Sequence, residues 1–189
     1  MVLERSERQL VDACKRGERD AFRELFETYR NKVYSVALRF SGDEAAAMDI
    51  AQDTFLKLFS SIREFRGDAG LETWMYRLVV NSCLDYKRRA RRLLPLADSI
   101  LSSLRASGDA FRELLRSEES NSIHTAINRL PADLRIVVVL RYTEALSYQE
   151  IAEVIGVPAG TIASRLNRAH KALEPRLAHL AQSKGARNV

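Results

Sequence analysis

The apolar residues Phe22, Leu25, Phe26, Tyr29, Val33, Val36, Ala37 and Phe40 recur at steps of three and four. That spacing gathers them on one face of a 3.6-residue helix and predicts a core-facing stripe. Asp20 is expected to cap this helix. Ahead of it, Ser6-x-x-Gln9 forms a capping box for a short helix carrying Leu10, Ala13 and Cys14, which Gly17 ends. Gly42-Asp43 breaks the chain and restarts it as a third helix, with Ala47, Ile50, Ala51, Leu58 and Phe59 expected inward and Glu44, Asp49, Gln52 and Asp53 outward. Only 8 Gly and 4 Pro in 189 residues are too few for the turns of a sandwich or barrel, so the expected class is all-α.

Phe65-Arg66-Gly67-Asp68-Ala69-Gly70 reads as a loop, because its glycines and Asp suit positive φ. A fourth helix follows, with Leu71, Trp74, Leu78 and Val79 inward and Arg77, Asn81, Asp85 and Arg88 sharing the opposite side. It ends in Lys87-Arg88-Arg89-Ala90-Arg91-Arg92, cations that a helix C-terminus favours in any case and that also suit phosphate. Beyond Pro95 the apolar spacing weakens and Ser, Gly and Asp accumulate to about Ser117, as in a flexible linker. Its Leu and Phe side chains, Leu101, Leu104 and Phe111 among them, call for cover by a domain or a partner. Two small helical domains are therefore expected, at 1–94 and 118–180, joined by a linker at 95–117 and followed by a tail at 181–189.

The second half resumes with a helix at about 118–129, a turn at Leu130-Pro131 and a helix from Ala132 to Tyr142. The run Ile136-Val137-Val138-Val139 sits inside that window and is read as buried helix rather than strand. Next, Ser147-x-x-Glu150 is a capping box, Ile151, Ala152 and Ile155 form an apolar face, Gly156 supplies a left-handed stop and Pro158 opens another helix. Helix, short glycine turn and helix make a helix-turn-helix, whose second helix enters the DNA major groove. With Ile162, Leu166, Ala169 and Leu173 buried, Thr161, Ser164, Arg165, Asn167, Arg168 and Lys171 are left to face DNA.

Net charge is +5 and the pI about 9.4, compatible with a polyanionic partner but too mild to establish one. Cys14 and Cys83 cannot build a disulfide framework or a four-thiolate zinc site and are read as small core residues; the setting expected is the reducing cytoplasm. His124, His170 and His179 lack ligand spacing and are read as surface residues. Met1-Val2-Leu3-Glu4-Arg5 lacks the apolar core expected of a signal peptide, and no apolar run in the sequence approaches the ~20 residues of a membrane span.

Taken in order, these motifs resemble the extracytoplasmic-function sigma factors, small promoter-specificity subunits of bacterial RNA polymerase, over about residues 8–92 and 118–175. Asp43-Glu44-Ala45-Ala46-Ala47-Met48-Asp49-Ile50-Ala51-Gln52-Asp53-Thr54-Phe55 is similar to the region two segment that docks on the β′ clamp helices. That likeness implies Glu44, Asp49, Gln52 and Asp53 as polymerase contacts. Phe65-Arg66-Gly67 with Thr73-Trp74-Met75-Tyr76-Arg77-Leu78-Val79-Val80-Asn81 resembles the part that melts and reads the minus-ten element. It implies Phe65, Arg66, Arg77 and Asn81 at DNA, with Arg88 and Arg89 beside them. Leu130 through Leu173 resembles region four, which reads the minus-thirty-five element and meets the polymerase β flap. The resemblance further implies an anti-sigma factor able to hold the protein at the inner membrane, no cofactor, no small-molecule substrate and no catalytic or metal site.

The residues agree with such a role. Opening DNA takes cations for phosphates, aromatic platforms for unstacked bases and an amide for a base edge. Phe65 and Trp74 are candidate platforms, although Trp74 also fits a core. Asn81 shares the helical phase of Arg77 and Arg88 and is expected to face outward. Met48 stands where the family is usually acidic, which puts the docking charge on Asp49 and Asp53. Ala163 stands where many relatives carry a basic residue, removing one candidate DNA contact. A free-standing helix-turn-helix regulator would leave the first half unexplained. An enzyme would need more than Glu44, Asp49 and Asp53, on which no His or further carboxylate motif converges.

Overall fold

The computed structural model describes residues 6–97 and 118–186. Among them the regular elements are all helical: α1 (Glu7–Lys15), α2 (Arg19–Ser41), α3 (Glu44–Ser61), a 3₁₀ turn (Ile62–Glu64), α4 (Leu71–Ala97), α5 (Glu118–Asn128), α6 (Ala132–Tyr142), α7 (Tyr148–Ile155) and α8 (Ala159–Ala186). The all-α expectation holds.

The capping chemistry sets the boundaries. Ser6 and Gln9 close the capping box at α1, and Asp43 accepts from the Ala46 N–H at the start of α3. Gly42, at φ +75°, ends α2 in the left-handed conformation that favours glycine, and its N–H donates to Leu38 O at 2.8 Å. Asp20 is not the cap of α2. The α1–α2 turn is tied by Gly17 N–H to Cys14 O and Glu18 N–H to Ala13 O, so the helix already begins at Arg19 with Glu18 as cap residue. Asp20 lies instead in the first turn, where the positive end of the helix dipole favours a carboxylate.

Leu25, Val36, Phe40, Ile50, Leu58, Leu71, Met75 and Val79 fill the core of the first half. In the second half Ile136 to Val139 are buried within α6, as expected, beside Leu140, Ile151, Ile162, Leu166 and Ala169. Trp74, Leu78 and Leu173 are half-buried at the margins of these cores. Helix α4 continues through the first positions of the expected linker to Ala97, and α8 passes through Pro175 to Ala186, beyond the boundary expected at 180. The rest of the expected linker, with Leu101, Leu104 and Phe111, lies outside the described residues, as does the side chain of His179.

The two halves pack against each other, with α7 on α4, α6 on α2 and α4, and α5 on α2. At their junction Arg135 of α6 is 3% exposed. Its Nη1 donates to Phe40 O at the end of α2 at 2.8 Å, and its Nη2 donates to Leu130 O at 3.1 Å and to Asn128 O. The guanidinium also lies 5.4 Å from the Phe40 ring centre. A buried cation thus satisfies carbonyls from both halves, the pairing that makes its desolvation tolerable.

Candidate polymerase and nucleic-acid interfaces

The outer face of α3 is apolar as well as acidic. Met48 is 62% exposed, Leu56 57% and Phe59 42%, and Phe26 of α2 stands beside them. Together with Tyr34 and Gln52 they line an open groove of about 570 Å³. The placement of Phe26 and Phe59 corrects the sequence expectation, which had both inward. Both lie one position past the buried line of their helix, after Leu25 and Leu58, and each is held at the margin by a ring contact. Phe26 packs on Phe55 at 4.7 Å and Phe59 on Phe22 at 5.1 Å. Glu44, Asp49 and Gln52 are exposed on this helix as expected. Asp53 is only part-exposed and accepts a hydrogen bond from Arg89 Nη2, so two residues assigned to different interfaces partner each other.

The loop and α4 form a second surface. Phe65 is half-buried, its ring 5.0 Å from that of Trp74, and its carbonyl accepts from Lys15 Nζ at 2.6 Å. The two candidate platforms are therefore a packed pair, each half-buried. Arg66, Arg91 and Arg92 are exposed, and Arg88 is bonded to Asp85. Asp85 also accepts from Lys57 Nζ at 2.9 Å; Lys57, with Arg88 adding to it, holds the carboxyl below the usual carboxylate range. Asn81 is exposed, and its side chain bonds to no described residue. Arg77 is half-buried instead of open: its Nε donates to Glu153 O at 3.2 Å and its Nη2 lies 3.7 Å from Glu153 Oε1. Next to it the buried Tyr76 donates its hydroxyl proton to Glu144 Oε2 at 2.9 Å, and burial, followed by this bond, pushes its ionisation far up.

The third surface is α8. The Ser147–Glu150 capping box is closed in both directions and Gly156 is left-handed at φ +77°, so the turn is built as its sequence specifies. Ile162, Leu166 and Ala169 are buried on one side. On the other, Ser164, Asn167, Arg168 and Lys171 are exposed, with Thr161 and Arg165 half-buried beside them. The cations Arg165, Arg168 and Lys171 form no ion pair with a described residue.

The sigma-70 region 2 family matches residues 25–93 and the sigma-70 region 4 family residues 120–173. The RNA polymerase sigma-H factor of Pseudomonas aeruginosa is 33% identical over 186 residues, which cover 94% of this chain and 96% of the relative. The chain belongs to the sigma-70 family. Within that family it is of the extracytoplasmic-function kind: the ECF RNA polymerase sigma-E factor of Escherichia coli K12 is 36% identical over 176 residues, 87% of this chain and 91% of the relative. It is an alternative sigma factor, directing core RNA polymerase to specific promoters and aiding DNA melting at initiation. A solved structure of CnrH with the cytosolic domain of CnrY shares the fold, at TM-score 0.67 and 22% identity over 92% of this chain and 97% of that one. The sigma factor RpoE of Bartonella quintana, solved with the anti-sigma factor NepR, matches at TM-score 0.65 and 25% identity over 83% and 96%.

The region 2 match accounts for the half that a free-standing regulator leaves unexplained. In the sigma factor, Cys14 and Cys83 are both buried, and burial pushes the Cys83 thiol up to about 12. His170 is exposed and shares a 2.7 Å hydrogen bond with the Tyr142 hydroxyl, while His124 is half-buried and lines a pocket with residues of α2. Among the described residues no helix is long and apolar enough to cross a membrane, and no group of His, Cys, Asp and Glu is arranged to hold a metal ion. Sequence reasoning missed Leu56 and Glu153. The exposed Leu56 had a usable signal, since it falls on the Gln52 face of its own helix.

Proposed function

We propose that this sigma factor docks on core polymerase through the outer face of α3 and reads the two promoter elements with α4 and α8. What carries the docking reading is the exposed apolar groove at Met48, Leu56 and Phe59, flanked by Asp49 and Gln52. Apolar side chains of that size cost ~1.5–3 kcal/mol each when left in water, which a covering helix of the β′ clamp recovers. Asp49 and Glu44 supply the acidic complement, and Asp53 contributes through its pairing with Arg89. On α4 and the loop before it, Arg66, Arg88 and Arg89 hold phosphates, Phe65 supports an unstacked base and Asn81 reads one, with Arg77 joining them. On α8, Thr161, Ser164, Arg165, Asn167, Arg168 and Lys171 face the minus-thirty-five duplex, while the second domain also meets the β flap. We assign residues 1–94 and 118–180 to these two functions, with no catalytic step in either. The anti-sigma complex solved for the Bartonella relative supports a similar partner here, and such a partner would place a cytoplasmic protein at the inner membrane under control.

The test is a binding titration of core polymerase with the wild type and with Asp49→Lys/Leu56→Ser. Both sites are exposed, so the variant should keep its helical circular dichroism and melting point yet lose at least tenfold in affinity. Normal affinity with a normal spectrum would refute the docking face.

A further inference from the structure

Gly70, the residue ahead of α4, has no side chain with which to cap that helix. The cap comes instead from 64 positions earlier, where Glu7 Oε1 accepts from the Leu71 N–H at 2.9 Å. Glu7 stands in the first turn of α1, so one carboxylate serves the positive ends of two helices. Its charge also reaches α2, where burial first and Glu7 next push the Tyr29 hydroxyl up to about 12. At the other end of α1, Lys15 Nζ donates to Phe65 O at 2.6 Å and lies 6.0 Å from the centre of the Phe65 ring. Helix α1 thus grips the loop that precedes α4 at both its ends. The helix is itself fixed, because Leu10, Val11, Ala13 and Cys14 are buried and it packs on α2 and the 3₁₀ turn. Between the two grips Arg66, Gly67 and Asp68 are exposed, and none of the residues from Arg66 to Ala69 bonds to a described residue. A side chain added at Gly67 would meet no atom within 4 Å.

We propose that α1 is a positioning clamp for the loop that reads the minus-ten element, with Lys15 and Glu7 setting the opening in which residues 66–70 receive an unstacked base. The proposal rests on the assignment of Phe65 and Asn81 to that element. A loop with two glycines samples many shapes, and ordering it at the moment of binding weakens affinity. Ties made at both ends by a docked helix do much of that ordering beforehand. Both are charge-assisted bonds, which hold geometry more firmly than neutral ones. Lys15 also fixes the plane of the Phe65 peptide, and with it the approach of the Phe65 ring to Trp74 at 5.0 Å. Neither clamp residue has to touch DNA. Lys15 directs its ammonium at a main-chain oxygen, and the Glu7 carboxylate would repel a phosphate.

The experiment uses the full chain with core polymerase. It compares the wild type with Glu7→Ala/Lys15→Met, which breaks both ties, and with Glu7→Gln/Lys15→Arg, which keeps an acceptor and a donor in place. The first variant should bind core polymerase as the wild type does and form open complexes about tenfold more slowly, the scale of one lost charge-assisted bond. On a pre-melted bubble it should also lose base preference at one minus-ten position. The conservative pair should restore both. Salt dependence should not change, because no phosphate contact is removed. A merely structural role predicts a lower melting point, weaker core binding and wild-type base preference on the bubble, and that result would overturn the clamp. A salt slope reduced by about one in Lys15→Met would overturn it too, since Lys15 would then hold phosphate itself. Should the double variant fail to fold, Lys15→Met alone, which leaves the α4 cap in place, carries the same comparison. Phe65→Ala and Asn81→Ala in the bubble assay separate the two failures. If they alter minus-ten preference and the clamp variants do not, only the clamp falls; if they too change nothing, the minus-ten assignment itself falls.

Discussion

Asn81 presents an amide donor and acceptor to solvent from a helix on which the exposed Arg88 and Arg89 are engaged in ion pairs, Arg88 with Asp85 and Arg89 with Asp53. An amide can donate and accept at once against the Watson–Crick edge of an unpaired base. Because the side chain bonds to nothing described, Asn81→Ala should leave the melting point and polymerase affinity unchanged. It should reduce open-complex formation and blur preference at one minus-ten base. Permanganate footprinting on a native promoter and on a pre-melted bubble separates the roles: a reading residue stays altered in preference on the bubble, a structural one does not. Cys83 gives the opposite case. A buried thiol pushed up to about 12 is almost entirely protonated at pH 8, and thiolate is the reactive form. Iodoacetamide at pH 8 should therefore leave Cys83 unmodified in the native protein and alkylate it after denaturation, as read by mass spectrometry.

Helix α8 supports a prediction about an element as a whole. If Arg165 and Arg168 make base contacts, alanine at either costs about 1–3 kcal/mol at promoters that depend on the minus-thirty-five element and little elsewhere. If they contact phosphate, all sequences weaken alike and the salt slope falls by about one per residue. Titrating holoenzyme onto matched and mismatched promoters at two salt concentrations distinguishes these outcomes, and no change at all would remove α8 as the reader. The helix-turn-helix was legible in the sequence, since Ser147, Glu150 and Gly156 fix the ends of α7 and Pro158 the start of α8 through bonds within a few residues. Periodicity likewise gave the buried line of α2 and α3. It failed at the margins, at Phe26 and Phe59, because helical phase names a face while the neighbouring helix decides how wide that face is. The pairing of Asp53 with Arg89 was hidden for a related reason: each looked available along its own helix, and only the packing of α3 on α4 brings together residues 36 positions apart.

At the scale of the whole molecule, the two halves are one packed body whose junction the sequence hid, since Arg135 and Phe40 lie 95 positions apart and an Arg in the first turns of a helix reads as surface. Arg135→Met should keep the volume and leave the carbonyls of Phe40, Asn128 and Leu130 without this donor, each costing about 1–3 kcal/mol where water cannot enter. The expected result is a lower denaturant midpoint, with the single unfolding transition splitting as the halves lose their tie. A variant that unfolds like the wild type would show that the junction contributes nothing to cooperativity. The partners of Arg135 are main-chain oxygens, a group that every amino acid carries. Asn128 and Leu130 can therefore change identity over evolution without disturbing those bonds. Methods that look for coupled substitutions between positions would be blind to this part of the tie, and a family could keep it for as long as it keeps one arginine and the local course of the chain.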